Sequence, residues 1–263
     1  MLRSGIQGKG ESVIMKLILK YFISKESTCL AVALLLLLFF IIPASVAAEF
    51  KSQEDVSNWL MSYYQKPDPV RIPELVKYLS TSGLLDKGDR LPPIFGFLSG
   101  VFQKNPAEVK KIVAQLNSLK EQHLHVVILG LWYANLPESQ KMTYEVIESH
   151  PKIKPDFDFL YKGQPMDIET IPLEQGVWVL DALWGKFFAT GDSAPVERII
   201  SALPWTDVKG DVNRMMAGGA AQWSLTSNAK RHKRVLEICE NQAKNQKGVI
   251  AEKLGKVIKQ TKK

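Results

Sequence analysis

The stretch Phe187-Phe188-Ala189-Thr190-Gly191-Asp192-Ser193-Ala194-Pro195-Val196-Glu197-Arg198-Ile199-Ile200-Ser201-Ala202-Leu203 reads as the end of one helix, a tight turn and the start of a second. Gly191 suits the left-handed position just past a helix end, because it has no Cβ to clash with the preceding carbonyl. Asp192 or Ser193 is placed to cap the next helix by accepting from its free N–H groups. Pro195 falls in the first turn, where a missing N–H costs nothing. Val196, Ile199, Ile200 and Leu203 then fall at i, i+3, i+4 and i+7, one apolar stripe on a helix.

The same frame recurs along the chain. Counted from a capping residue, apolar positions at +4, +7, +8 and +11 follow Asp68, Asn105 and Asp192, and two weaker copies follow Ser139 and Asn228. The five caps are spaced 37, 34, 53 and 36 residues apart. The long interval contains the Pro-rich stretch 151–171, which has no helical period; without it the spacing returns to about 34, that of two-helix repeats. One such pair cannot bury its own apolar face, so stacked neighbours are expected to share a core.

The helices before the caps carry small residues near their middles: Ser99 and Gly100, Gly130, Gly185, Gly218 and Gly219. Glycine inside a helix costs about 1 kcal/mol relative to alanine, so its recurrence predicts close approach of a neighbouring backbone. Val126, Leu129, Gly130 and Tyr133 are spaced as in the first helix of a tetratricopeptide repeat, and over about 50–245 the chain resembles tetratricopeptide-like helical-repeat proteins. Trp, Leu-Gly and Tyr never coincide in one repeat, a departure from that family's pattern. The Ala189-Thr190-Gly191-Asp192 hairpin is also similar to hairpins of uncharacterised exported bacterial proteins. The resemblance implies an all-α, right-handed solenoid of about five helix-turn-helix repeats, a bacterial origin and a concave groove that binds a protein or peptide.

Residues 1–48 are a different kind of sequence. Lys16, Lys20 and Lys25 precede Leu30 to Ile42, a run of 13 apolar residues, and Pro43 and small residues follow. Basic, apolar and then small is the order of a secretory signal peptide, with Met15 as an alternative start and cleavage near Ala47 or Ala48. The apolar run falls short of the roughly 20 residues of a membrane span; the alternative is an uncleaved inner-membrane anchor through 30–42. The expected location is the periplasm or beyond. The remaining 49–263 carries 29 basic and 25 acidic residues, so much of the chain's formal +7 belongs to the targeting segment. This size suits one helical domain. Cys239 is its sole cysteine, so no disulfide forms within it, and its stripe position marks a buried thiol.

Helix pairs are expected over 52–80, 92–119, 122–150, 173–203 and 211–245, with Ser52 as the first cap. A last amphipathic helix, bearing Val249, Ile250, Leu254, Val257 and Ile258, closes the core. No alternating strand pattern competes.

Insertions in helical repeats often carry binding, and Phe157, Phe159 and Tyr161 in 151–171 are candidate partner anchors; alternatively the rings pack back over a gap. Trp178, Asp181 and Trp184 form a second candidate group. A carboxylate in an otherwise apolar helix has a raised pKa and serves as an acid or base only beside a second positioned group. Asp156 and Asp158 lack the further oxygens of a calcium loop. His123 and His125, at i and i+2, do not share a helix face, which argues against zinc. No phosphate loop, dinucleotide fingerprint or hydrolase motif is present, so no metal, no cofactor and no nucleic acid are expected. The basic cluster Lys230, Arg231, Lys233 and Arg234 reads as a solvated face or a polyanion contact. The expected function is a non-catalytic scaffold for a protein or peptide partner; an envelope enzyme or small-ligand binder using Asp181, and a membrane-tethered assembly factor, are the alternatives.

Overall fold

The structure, a computed structural model, describes residues 49–262. The targeting segment read over 1–48 lies outside the described residues, as does Lys263. The described residues form twelve α-helices joined by short 3-10 turns, with no strand among them.

The helices fall close to the expected pairs. They are α1 (Gln53–Ser62) and α2 (Ile72–Thr81), α3 (Leu91–Lys104) and α4 (Pro106–Ala114), then α5 (Leu124–Ala134) and α6 (Pro137–Ser149). A short α7 (Asp158–Lys162) lies in the 151–171 insertion, so that stretch is partly helical rather than irregular throughout. The pairs resume with α8 (Val177–Thr190) and α9 (Ser193–Ile200), then α10 (Val212–Arg231) and α11 (Lys233–Asn245), and α12 (Gly248–Thr261) ends the chain.

Local chemistry explains the boundaries. The Ser52 side chain accepts from the Asp55 N–H at 3.1 Å and starts α1. Gly191 ends α8 with φ 68°, and its N–H donates to the Phe187 carbonyl at 2.7 Å. The stripe after it is buried as expected: Val196, Ile199 and Leu203 have no exposure and Ile200 has 2%. Two of the expected caps are corrected. Ser139 lies at the third position of α6, which starts at Pro137 with Leu136 before it. Asn228 lies inside α10, which runs to Arg231, and His232 flanks α11 instead. Nothing at Asn228 breaks the helix, whereas the extended backbone of His232 does.

The stacking order also differs from that of sequentially stacked repeats. The helices preceding each cap would then neighbour one another in chain order. Instead α3 packs against both α5 and α8, and the α3–α8 seam is the most extensive contact between helices. The 151–171 insertion carries the chain from α6 to α8, so that α8 meets α3 rather than α5. Small residues decide this seam. A methyl group at Gly96 would collide with the Ala182 carbonyl, and one at Gly185 with the Pro93 carbonyl. At Gly100 it would stand 2.8 Å from the Ala189 Cβ. On the other side of α3, Gly130 of α5 admits Leu98, whose Cβ would lie 2.7 Å from a methyl there. Gly218 is pressed against the turn at Trp205 and Thr206, while Gly219 has nothing within 4 Å. Close approach therefore holds for four of the expected glycine sites and not for Gly219.

The buried side chains form two clusters that interlock across the seam. Phe95 of α3 belongs to the cluster around α8 to α12, and Ala189 of α8 belongs to the cluster around α1 to α7. Cys239 is fully buried, and burial pushes its thiol up to about 12.

Candidate functional site

A markedly apolar opening lies under α1. Edge-on contacts of Trp59 with Tyr63 and of Tyr63 with Phe97, both at 5.0 Å, pin α1 along one side. Arg71 sits 4.2 Å over the Phe50 ring and closes its start. The other side, with Val56 and Leu60, does not close. It leaves a cleft of about 280 Å³ walled by Leu79, Leu85, Ile94, Phe97 and Phe188, with Gly185 in the wall supplied by α8. Gln53, Ser57 and Arg90 also line it.

Gln53, Ser57 and Met61 also border a second opening, a polar groove of about 720 Å³ that continues along α1 to Arg231 and His232. His232 stands among the rings of Tyr64, Phe187 and Phe188, with Phe188 nearest at 5.2 Å between centroids. Its Nδ1 lies 3.4 Å from the Tyr64 hydroxyl, and its Nε2 is buried with no hydrogen-bond partner among the described residues. Burial, and secondarily Arg231, push its pKa down, so the ring is neutral at pH 7. Phe188 in the cleft and His232 in the groove thus join the two openings.

Asp181 precedes Gly185 by one turn of α8, on the same face. Burial, with repulsion from Asp89, pushes its carboxyl up to about 6. Asp89 itself is exposed and is paired with Arg90 only at 3.7 Å. Of these groups only Arg90 lines the cleft; the two carboxyls stand beside its lining, Asp89 next to Arg90 in sequence and Asp181 one helical turn from Gly185.

The remaining candidates are spread over two regions. Phe157 is 1% exposed and packs 4.8 Å from the His125 ring, so it fastens the insertion to α5 rather than facing outward. Asp156 is held at 3.0 Å by the His125 Nε2. Phe159 and Tyr161 are exposed, and the Tyr161 hydroxyl donates to Glu148 of α6 at 2.8 Å. Trp178, on α8, donates from Nε1 to the Gln175 carbonyl at 3.1 Å. Trp184 is buried and stacks on Phe188, with its Nε1 unpartnered among the described residues. Phe159 and Tyr161 thus lie on the α6 side, and Trp178, Asp181 and Trp184 on α8.

Two polar arrangements are absent from the sequence reading. The first is a Ser-His-Asp line: the Ser80 Oγ lies 2.7 Å from the His123 Nδ1, and the His123 Nε2 lies 2.8 Å from an Asp86 carboxylate oxygen. A hydrolase exposes its serine and buries its acid. Here Ser80 is 4% exposed and His123 has no exposure, while Asp86 is at the surface, so the line ties α2 to the turn before α5. The hydrogen bond from His123 holds the Asp86 carboxyl below its usual range. The second is Lys186 of α8, 4% exposed, which reaches Asp167 at 2.6 Å and Glu169 at 3.0 Å. Burial raises the Asp167 carboxyl, but Lys186, the Glu169 N–H and Gln103 together bring it below the ordinary value. This group locks the far end of the insertion. Sequence spacing signals neither, because the partners come from separate turns of the fold.

Lys233 and Arg234 pair with Glu237 at 3.6 and 3.9 Å, whereas Lys230 is exposed. No three His, Cys, Asp or Glu side chains among the described residues gather as metal ligands would. No helix among them is long and apolar enough to cross a membrane. Comparison of the chain with protein-family models, curated proteins and solved structures finds no match.

Proposed function

We propose that this chain is a non-catalytic binding protein of the bacterial cell envelope, and that it holds a protein or peptide partner along α1. The observation that carries the reading is the continuity of an apolar cleft with a polar groove, bordered in common by Gln53, Ser57 and Met61. Pockets for whole small ligands run about 300–1,000 Å³. The cleft, at about 280 Å³, is the size for one or two apolar side chains. A partner's anchor residue fills the cleft, and the amides of Gln53, Asn58 and Gln65 meet its backbone in the groove. Export rests on the basic, apolar and small order of residues 16–48. The helical-repeat kinship belongs to the same proposal.

A second reading rests on Asp181, whose carboxyl is raised by burial and by Asp89 and which stands one turn from Gly185 of the cleft wall: a small apolar ligand with a cationic group, which would neutralise both carboxyls.

The test is crosslinked capture from the native envelope by the tagged full chain and by its Ser57→Trp variant. Ser57 is exposed, so the indole plugs the cleft without entering the core. Loss of a stoichiometric partner at an unchanged melting temperature is the expected result. A partner retained by Ser57→Trp, or no partner at all, overturns the reading. Loss on Phe159→Ala with Tyr161→Ala instead would move the contact to the insertion. Loss on Asp181→Asn, with a small amine as the captured species, would favour the second reading.

A further inference from the structure

The outer face of α10 is independent of the cleft. Its inner face, Ala217, Gly218, Ala221, Leu225 and Ala229, is buried. On the opposite side Val212 is 62% exposed, Met215 47%, Met216 55% and Trp223 74%. At 100° per residue these four and Gly219 lie on one stripe. Single exposed apolar residues are ordinary, but four on one stripe of one helix are not.

Gly219 lies at the centre of this stripe. Among the described residues nothing beyond its own stretch of helix lies within 4 Å of where its Cβ would be, and its φ is not in the left-handed region. The fold therefore has no need of a glycine here, although glycine weakens the helix by about 1 kcal/mol relative to alanine. A backbone approaching from outside would need it.

The pattern around Gly219 is self-complementary. Met215 and Met216 stand four and three positions before it, and Gln222 and Trp223 three and four positions after it. Beside Trp223 runs a groove of about 470 Å³ bordered by Gly219, Gln222, Thr226 and Gln260. Knobs and groove are equally far from the glycine in opposite directions, the relation a two-fold axis requires. The ends of the stripe carry opposite charge: Asp211 at the start, which caps α10 by accepting from the Arg214 N–H at 3.1 Å and meets the Arg214 guanidinium at 3.7 Å, and exposed Lys230 at the end.

We propose that the outer face of α10 binds a second copy of this chain, the two helices crossing antiparallel at Gly219. Met215 and Met216 of each copy enter the groove beside the other's Trp223, where sulfur meets indole. Lys230 of each then lies within side-chain reach of the other's Asp211, since the offset along the axis is three residues, about 4.5 Å. An isologous pair of this kind closes on itself.

Sedimentation of the full chain tests this, with Gly219→Leu and Trp223→Ala as variants. The wild type is expected to be a dimer at micromolar concentration. Gly219→Leu should weaken it by about tenfold or more, with an unchanged helical spectrum, because nothing in the monomer meets the new side chain. Trp223→Ala should weaken it similarly and guards against a folding defect in the first variant. A monomeric wild type overturns the proposal, as does a dimer that neither variant weakens. A monomer that co-sediments with phosphatidylglycerol vesicles, and loses this on Trp223→Ala, would also overturn it and give the face to a membrane.

Discussion

The α3–α8 seam and the outer face of α10 both carry mid-helix glycines, and the glycines do opposite things. In α3 and α8, Gly96, Gly100 and Gly185 are buried where two backbones approach closely, and the space a Cβ would need is already filled. In α10, Gly219 faces outward with nothing near it. The first case spends helix propensity on packing inside the chain. The second spends it on nothing the chain itself contains. The difference teaches that a mid-helix glycine reports a close approach without saying whether the neighbour belongs to the same molecule.

The seam side of α8 also carries Lys186, and its removal should have the largest effect. Lys186→Met keeps much of the stem but leaves the Asp167 and Glu169 carboxylates facing each other without the ammonium. Breaking a buried pair by removing one partner costs about 3–5 kcal/mol, so the denaturation midpoint should fall sharply. A loss below about 1 kcal/mol would match an exposed ion pair and would mean that water reaches the site. The seam would then be looser than its packing indicates.

Gly185→Ala comes next. One added methyl meets the Pro93 carbonyl, a backbone atom that cannot rotate away as a side chain would. Overpacking of this kind costs about 1–3 kcal/mol. A neutral or stabilising result would show that α3 and α8 part easily, and the contrast with α10 would collapse.

Much of the seam's construction was legible before the fold, and the part that was not has a physical reason. Ser52, Gly191 and the stripe from Val196 to Leu203 are local signals, each complete within about a dozen residues. They give the helix pairs and their ends. The misplaced caps at Ser139 and Asn228 arose because serine and asparagine also sit within helices: Pro137 already starts α6, and only the tertiary contacts of α10 carry it on to Arg231. The stacking order depends on Gly96 meeting Ala182, a match between distant segments that leaves no periodic trace. The insertion hid which rings turn inward for a similar reason. Without a helical or strand period, nothing distinguishes Phe157, 1% exposed, from Phe159, 52% exposed. The Ser80–His123–Asp86 line joins residues 43 and 37 positions apart, each ordinary in its own segment. The cleft was out of reach altogether, since it is defined by where α1 fails to close.

Asp181 stands one turn from Gly185, where the tight packing of the seam gives way to the cleft. Its carboxyl is raised to about 6 in the folded chain, against about 3.9 unfolded. Between these values the folded state binds more protons than the unfolded one, so stability falls as pH rises from about 4 to about 6, and the loss persists above that. Two units correspond to about 3 kcal/mol in full, but water reaches part of the group and screening reduces this to about 1 kcal/mol. Asp181→Asn should therefore be about 1 kcal/mol more stable than the wild type at pH 7, with the difference vanishing near pH 4. A difference independent of pH would mean that the carboxyl is well solvated.

The smallest effect is the most discriminating. Gly219→Ala places a methyl in open space on a helix that has ten residues or more on one side and seven on the other, well inside its ends. For the single chain this should raise stability by up to about 1 kcal/mol, through a less flexible unfolded state and better helix propensity. For two copies crossing at this residue the same methyl pushes the helices apart. Chemical denaturation of the full chain should therefore show a gain at high dilution that shrinks or reverses as concentration rises, because association adds stability only where the dimer forms. A gain constant at every concentration removes the second copy and leaves Gly219 unexplained. A loss at every concentration breaks the comparison itself, since Gly219 would then be required by its own fold, as Gly96 and Gly185 are.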